Sequence, residues 1–135
     1  MYKSGAVIRD AWNFAGTLSL KKIWNYSLIR CSYYRGILLG KPVHAGMPVS
    51  LSVEPANTCN LRCPECPAGS GTLTRRQGMM DLDAFRNLIG QLKDRLAYLM
   101  LYFQGEPMMN PAIFDMIAYA RKLRVYTSMS TNGHL

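Results

Sequence analysis

Three of the four cysteines of this 135-residue chain fall within eight consecutive residues, Cys59-Asn60-Leu61-Arg62-Cys63-Pro64-Glu65-Cys66, spaced C-x3-C-x2-C. Thiolate sulfur is a soft ligand that suits iron–sulfur clusters, zinc and copper(I). Three such ligands on one short loop can wrap a single metal centre without help from distant chain. A closed structural zinc site takes four protein ligands, and a fourth is hard to supply. Cys31 falls in a separate, helical segment, and the only histidines are His44 and His134. A cubane held by three cysteines keeps one iron without a protein ligand, and that iron can bind a small molecule. The spacing therefore points to chemistry rather than to a staple. Oxidative pairing of Cys63 with Cys66 would leave Cys59 odd, and clustering of this kind argues for a metal site in a reducing compartment, not a secreted disulfide framework.

The elements that must carry this loop are legible around it. Val49, Leu51 and Val53 alternate with Ser50, Ser52 and Glu54, which predicts a short strand halted by Pro55. The cysteine loop follows at once, and residues 67–80 read as further loop, with Gly and Ser letting backbone approach the metal centre and Arg75 and Arg76 exposed to solvent. Asp81 is placed to cap a helix through about Leu96, with Phe85, Leu88, Ile89, Leu92 and Leu96 as its buried stripe. Tyr98 to Phe103 is continuously apolar, as expected of a strand covered on both faces, and ends at Gln104-Gly105-Glu106-Pro107. Asn110 caps the next helix with Pro111 at its first position, and Ile113, Phe114, Ile117 and Ala120 are expected to face inward. Val125 to Thr131 reads as a third strand. Strands alternating with helices imply an α/β fold with parallel strands and right-handed crossovers. In such sheets ligands bind beyond the carboxyl ends of the strands, which is where the cysteine loop falls.

The C-x3-C-x2-C spacing resembles the hallmark of the radical S-adenosylmethionine (radical SAM) superfamily, carried on the loop after the first barrel strand. Gln104-Gly105-Glu106-Pro107 is similar to that family's Gly-Gly-Glu-Pro signature at the end of strand two, and Ser130-Thr131-Asn132-Gly133 to the T-N-G that often ends strand three. The resemblance covers roughly residues 48–135. It implies a partial (β/α)6 radical SAM barrel, its first three strands only, in the N-terminal portion of a longer enzyme or in a truncated gene product. It implies that Cys59, Cys63 and Cys66 hold a [4Fe-4S] cluster whose open iron chelates S-adenosyl-L-methionine. One electron then cleaves the sulfonium to give a 5′-deoxyadenosyl radical that abstracts hydrogen from a substrate, with an electron donor such as flavodoxin or ferredoxin as partner. Gly105 and Glu106 are implied to meet the ammonium of that cofactor, Glu65 to lie by its adenine, and Thr131 and Asn132 to stand at the pocket rim. This chain departs from the family at Gln104, where a side chain narrows the pocket, and at Glu65, where an aromatic residue is usual and stacking is impossible. Asn60-Leu61-Arg62 also fits the SPASM-type branch, which includes peptide-modifying and sulfatase-maturing enzymes, so the implied substrate is a peptide or protein.

Residues 1–47 form a separate basic arm. The chain carries a net charge of +8, and residues 1–50 hold seven Lys/Arg against Asp10 alone. A short helix is expected around Ile8–Phe14 and a longer one from Ser19 to Leu39, capped by Ser19 and closed by Gly40. Leu20, Ile23, Trp24, Leu28, Cys31 and Leu38 recur at helical spacing and predict its buried face, with Cys31 as a small core residue. Pro42 to Pro48 reads as a linker. A basic helix bearing Trp and Tyr could lie on a membrane, but packing on its own domain or on a neighbour is the commoner use. Nucleic-acid binding has no recognised motif to support it. No apolar run approaches the ~20 residues that span a bilayer, so a cytoplasmic protein is expected. The alternative to an enzyme is a non-catalytic iron–sulfur or zinc binding module.

Overall fold

In the computed structural model, which describes residues 4–134, three short strands form one parallel sheet in the order β1-β2-β3: β1 Ser50–Ser52, β2 Tyr98–Met100 and β3 Tyr126–Ser128. Register runs Leu51 to Leu99 to Thr127 across the sheet. Period-two alternation sends Leu99 and Leu101 to one face, where both are fully buried. Two helices cover that face: α4 Leu82–Leu92 and α5 Ile113–Lys122. Their stripes, Phe85, Ile89 and Leu92 from α4 and Ile113, Met116 and Ala120 from α5, close with Leu96, Leu99 and Leu101 into one core. Full burial of a side chain such as Phe85 or Ile89 contributes roughly 1.5–3 kcal/mol. Asp81 caps α4 by accepting from the amides of Asp83 and Ala84.

Details of the crossover elements differ from the periodicity. Helix α4 stops at Leu92 and a turn delivers Leu96 to the core. Helix α5 begins at Ile113 rather than at Pro111, and the face it buries is Ile113, Met116 and Ala120, which leaves Phe114 exposed. Asn110 does not head the helix; its carboxamide oxygen accepts from Ala112 N, while Nδ2 bonds the carbonyls of Pro55 and Met80 from full burial. Strand β2 ends at Met100 rather than Phe103, with Leu99 buried and Tyr98 and Met100 half-buried, and Tyr102 and Phe103 lie beyond it, exposed. Residues 67–80 are not all loop. Pro67–Ser70 form the short helix α3, and Met79 pairs with Ala56 in an isolated antiparallel bridge.

The arm is built of α1 Ser4–Ala15 and α2 Leu20–Leu39, and it docks on the N-terminal ends of the strands. Phe14 meets Tyr98 and Tyr126 edge-on at 6.4 and 5.5 Å, and those two tyrosines stack at 5.3 Å. Ser19 and Gly40 cap α2 as expected. Its buried face is not the apolar one. Lys22, Asn25 and Ser32 are buried, whereas Leu20 and Leu38 are 85% and 84% exposed and Ile23, Trp24 and Cys31 are also exposed. The reason is what the helix packs against. Backbone carbonyls at the turn before β3 and at the α1–α2 elbow lack sheet or helix partners, and buried carbonyls require donors. Lys22 donates to Thr17 O and Arg124 O, and Arg124 returns a bond to Gly16 O. Asn25 makes two bonds of 2.8 Å to the backbone of Met47, so the Pro42–Pro48 segment lies against the helix. Among the described residues no helix is long and apolar enough to cross a membrane.

Candidate functional site

The cysteine loop is held from both sides before any ligand is considered. Asn57, buried, donates to Arg76 O and accepts from Gly78 N, which fastens the 67–80 segment beside the end of β1. Glu106 N donates to Thr58 O at 2.8 Å, which ties the residue before Cys59 to the turn after β2. Within the loop Cys66 N bonds Cys63 O, and Ser70 N bonds Cys66 O as α3 begins. Gly69 in that helix faces the backbone of Cys63. A Cβ there would lie 2.6 Å from Cys63 N and 2.8 Å from Cys63 O, so this glycine serves contact within the loop rather than access to a metal centre.

The loop meets the ends of β2 and β3 around an open cavity of about 280 Å³, lined by Cys59, Cys63, Tyr102, Gly105, Thr131 and Asn132 among others. Larger hollows exist elsewhere. One of about 340 Å³ beneath the arm is walled by Phe14, Leu18, Ile23 and Tyr98 and offers neither sulfur nor carboxylate, so size does not mark the site. Gly105 stands where the β2 turn presses on the end of β1: a Cβ would come within 2.0 Å of Ala56 O. Gln104 also lines the cavity. Its amide donates to Glu54 Oε1 and its side chain accepts from Arg75, which forms an ion pair with Glu54. Arg75 is exposed, as expected, and uses that exposed position to pair with Glu54 and Gln104.

Glu106 is 3% exposed. Its Oε1 accepts from Met108 N at 3.0 Å and the Thr131 hydroxyl at 2.7 Å, and its Oε2 accepts from Asn132 N at 2.8 Å. Burial favours the neutral acid, but these donors outweigh it, with Asn132 N foremost, and hold the carboxyl below its ordinary range. A carboxylate has about four acceptor positions, so one remains on Oε2. Asn132 in turn reaches back to the cysteine loop, with Nδ2 2.9 Å from Asn60 Oδ1 and 3.6 Å from Cys59 Sγ. Cys59 Sγ also accepts from Leu61 N at 3.4 Å. The Cys66 thiol lies 3.7 Å from Gln104 O.

The fold thus brings Cys59, Cys63, Gly105, Glu106, Thr131 and Asn132 to one cavity. Cys66 is on the same loop but not on the cavity wall, and Glu65 is exposed and also off the wall. Sequence reasoning did not single out Asn57 or Thr58, nor the Glu54–Arg75–Gln104 set. Asn57 was detectable as a turn-forming residue between a strand and a loop; the Glu54–Arg75 pair spans 21 positions and gave no local signal. Among the described residues no three His, Cys, Asp or Glu side chains close in tightly enough to hold one metal ion. A cluster is broader than an ion, and three soft sulfurs on a braced loop, one of them already receiving N–H donors, fit it. Thr58 Oγ1, one residue before the first sulfur, is buried with no hydrogen-bond partner among the described residues.

The sequence model of the radical SAM superfamily matches residues 53–135. A PqqA peptide cyclase of Streptomyces rochei is 27% identical over 88 residues, and that of Gluconobacter oxydans (strain 621H) is 32% identical over 89; each alignment covers 65% of this chain and 24% of the relative. The chain spans about a quarter of the length of the curated relatives it matches. Among solved structures, BtrN in complex with AdoMet and 2-DOIA superposes with a TM-score of 0.59 at 24% identity, covering 67% of this chain and 38% of BtrN. SuiB of Streptococcus suis bound to S-adenosylmethionine gives 0.56 at 17% identity, covering 81% and 31%. Both establish the fold: a three-strand portion of a larger α/β barrel.

Proposed function

The chain belongs to the radical SAM superfamily, and on that premise we propose that it is the N-terminal part of an enzyme that binds a [4Fe-4S] cluster and S-adenosyl-L-methionine and acts on a peptide. The observation that carries the reading is the meeting of Cys59 and Cys63 with the β2 and β3 turns at one cavity. When bound, the cluster supplies the electron that cleaves S-adenosylmethionine, and with it the means to abstract hydrogen from a substrate.

The chain's own residues have separable roles. Cys59, Cys63 and Cys66 hold the cluster. Gly105, packed on Ala56, fixes the β2 turn so that its backbone faces the cavity, and the remaining acceptor position of Glu106 suits the ammonium of the bound cofactor. Thr131 and Asn132 form the far rim, and Tyr102 and Phe103 give apolar surface for a base that Glu65 cannot stack against. The peptide substrate rests on the name shared by the relatives, PqqA peptide cyclase. A flavodoxin or ferredoxin as donor and a cytoplasmic location complete the proposal.

Anaerobic reconstitution of the full-length protein tests it. About four iron and four sulfide per chain are expected, with an EPR signal of the reduced cluster that changes on adding S-adenosylmethionine. Replacement of any one of Cys59, Cys63 or Cys66 by alanine should abolish normal assembly, whereas Cys31→Ala should not. A zinc-loaded protein, or a cluster whose spectrum ignores S-adenosylmethionine, overturns the reading in favour of a binding module.

A further inference from the structure

The three sulfurs are not equivalent. Cys59 Sγ has two N–H donors, Leu61 N at 3.4 Å and Asn132 Nδ2 at 3.6 Å, besides the Asn60 carboxamide oxygen at 4.0 Å, whereas Cys66 Sγ has only a carbonyl, Gln104 O, among the described residues. The Leu61 donor is local, supplied by the turn of the cysteine loop itself. The Asn132 donor comes from 73 residues away, and everything around it fixes its direction. Asn132 Oδ1 accepts from His134 N at 2.8 Å, which sets which end of the amide is nitrogen. The two protons on Nδ2 are then matched by two acceptors, Asn60 Oδ1 and Cys59 Sγ. The backbone of Asn132 is pinned by Glu106 Oε2, and the preceding hydroxyl of Thr131 by Glu106 Oε1.

We propose that Glu106, Thr131 and Asn132 form a relay from the end of β2 through the end of β3 that holds a side-chain N–H donor on the Cys59 sulfur and so raises the reduction potential of the cluster. The proposal rests on the reading that Cys59, Cys63 and Cys66 bind that cluster. It gives Asn132 a role toward sulfur beside its place on the cavity rim, and gives Glu106 the further role of positioning Asn132 beside the acceptor it offers the ammonium. The physical basis is charge. Reduction adds an electron to a cluster that its cysteine sulfurs already make negative, and an N–H dipole aimed at one of those sulfurs stabilises the reduced state more than the oxidised one. Burial of Glu106 matters because its carboxylate would otherwise exchange these donors for water; at 3% exposure it keeps them.

The test is an EPR-monitored potentiometric titration of the reconstituted full-length protein without S-adenosylmethionine, so that no readout depends on turnover. Asn132→Ala removes the donor, Asn132→Asp places an acceptor against the sulfur, and Asn132→Ser is a milder replacement should either of these fail to fold. One net hydrogen bond is about 1 kcal/mol, so at the wild-type midpoint Asn132→Ala should lower the ratio of reduced to oxidised cluster about three- to tenfold. That is roughly 30 to 60 mV more negative, at 59 mV per tenfold for one electron. Asn132→Asp should move further in the same direction, and Glu106→Gln should shift the potential the same way with iron content unchanged. Variants that carry full iron and sulfide at the wild-type potential overturn the relay and leave the cysteine site standing. A wild-type protein that takes up no cluster overturns both.

Discussion

Replacing Gly105 by alanine places a methyl group where the turn after β2 crosses the end of β1. The new Cβ would lie 2.0 Å from Ala56 O and 2.7 Å from both Ala56 C and Asn57 Cα. All three are backbone atoms, so no side chain can rotate aside and the two strand ends must separate. Overpacking in a close-packed region costs about 1–3 kcal/mol. Separation also strains the adjacent bond from Glu106 N to Thr58 O, at 2.8 Å, which adds about 1 kcal/mol. A loss of about 2–4 kcal/mol is therefore expected, measured as a shift in the urea midpoint at unchanged slope. Gly78→Ala is the reference, because a Cβ there meets nothing within 4 Å, and it should be neutral or stabilising by up to about 1 kcal/mol. Since Thr58 precedes Cys59, Gly105→Ala should also take up less iron than Gly78→Ala under identical reconstitution. Equal midpoints for the two variants would refute the close approach of the strand ends and, with it, the account of why glycine occupies position 105.

Glu106→Gln should cost about 1–3 kcal/mol near neutral pH, since a buried acceptor of three donors is weakened. The folded carboxyl lies below its usual value of 4.5, so its contribution is present above that value and lost as pH falls through the folded pKa; urea midpoints of wild type and variant should converge in acid. Lys22→Met leaves the carbonyls of Thr17 and Arg124 without their donor, so about 1–3 kcal/mol of destabilisation is expected, seen as faster amide hydrogen exchange in α1 and α2. Leu38→Ala, at an 84% exposed position, should change stability by no more than about 0.5 kcal/mol, against about 2–5 kcal/mol for Ile89→Ala in the core.

Local sequence determined the order of elements. The C-x3-C-x2-C loop, the two turns at Gln104-Gly105-Glu106-Pro107 and Ser130-Thr131-Asn132-Gly133, and the Phe85, Ile89 and Leu92 part of the α4 stripe are short-range patterns, and each sits in the structure where its spacing placed it. The strand–helix alternation was enough to expect parallel strands, because a crossover helix leaves few other options. Where periodicity failed, the partner surface was out of sight. The α2 helix has an apolar face at good spacing, yet it buries Lys22 and Asn25 instead, because the surface it meets offers carbonyls that lack donors. Helical spacing reports which residues share a face; only packing decides which face is buried.

The same division runs through the site. Sequence supplied three sulfurs and a glutamate but could not relate them, since Glu106 and Asn132 are 26 positions apart and Asn132 and Cys59 are 73. Tertiary structure showed that Glu106 is also a buried acceptor that fixes the end of β3, and gave Gly105 its reason in the backbone of Ala56. Hydrogen bonds between strand ends depend on sheet register and crossover geometry, and no local pattern encodes either. The sequence by itself determined which atoms are available for chemistry; the folded sheet decided which of them touch.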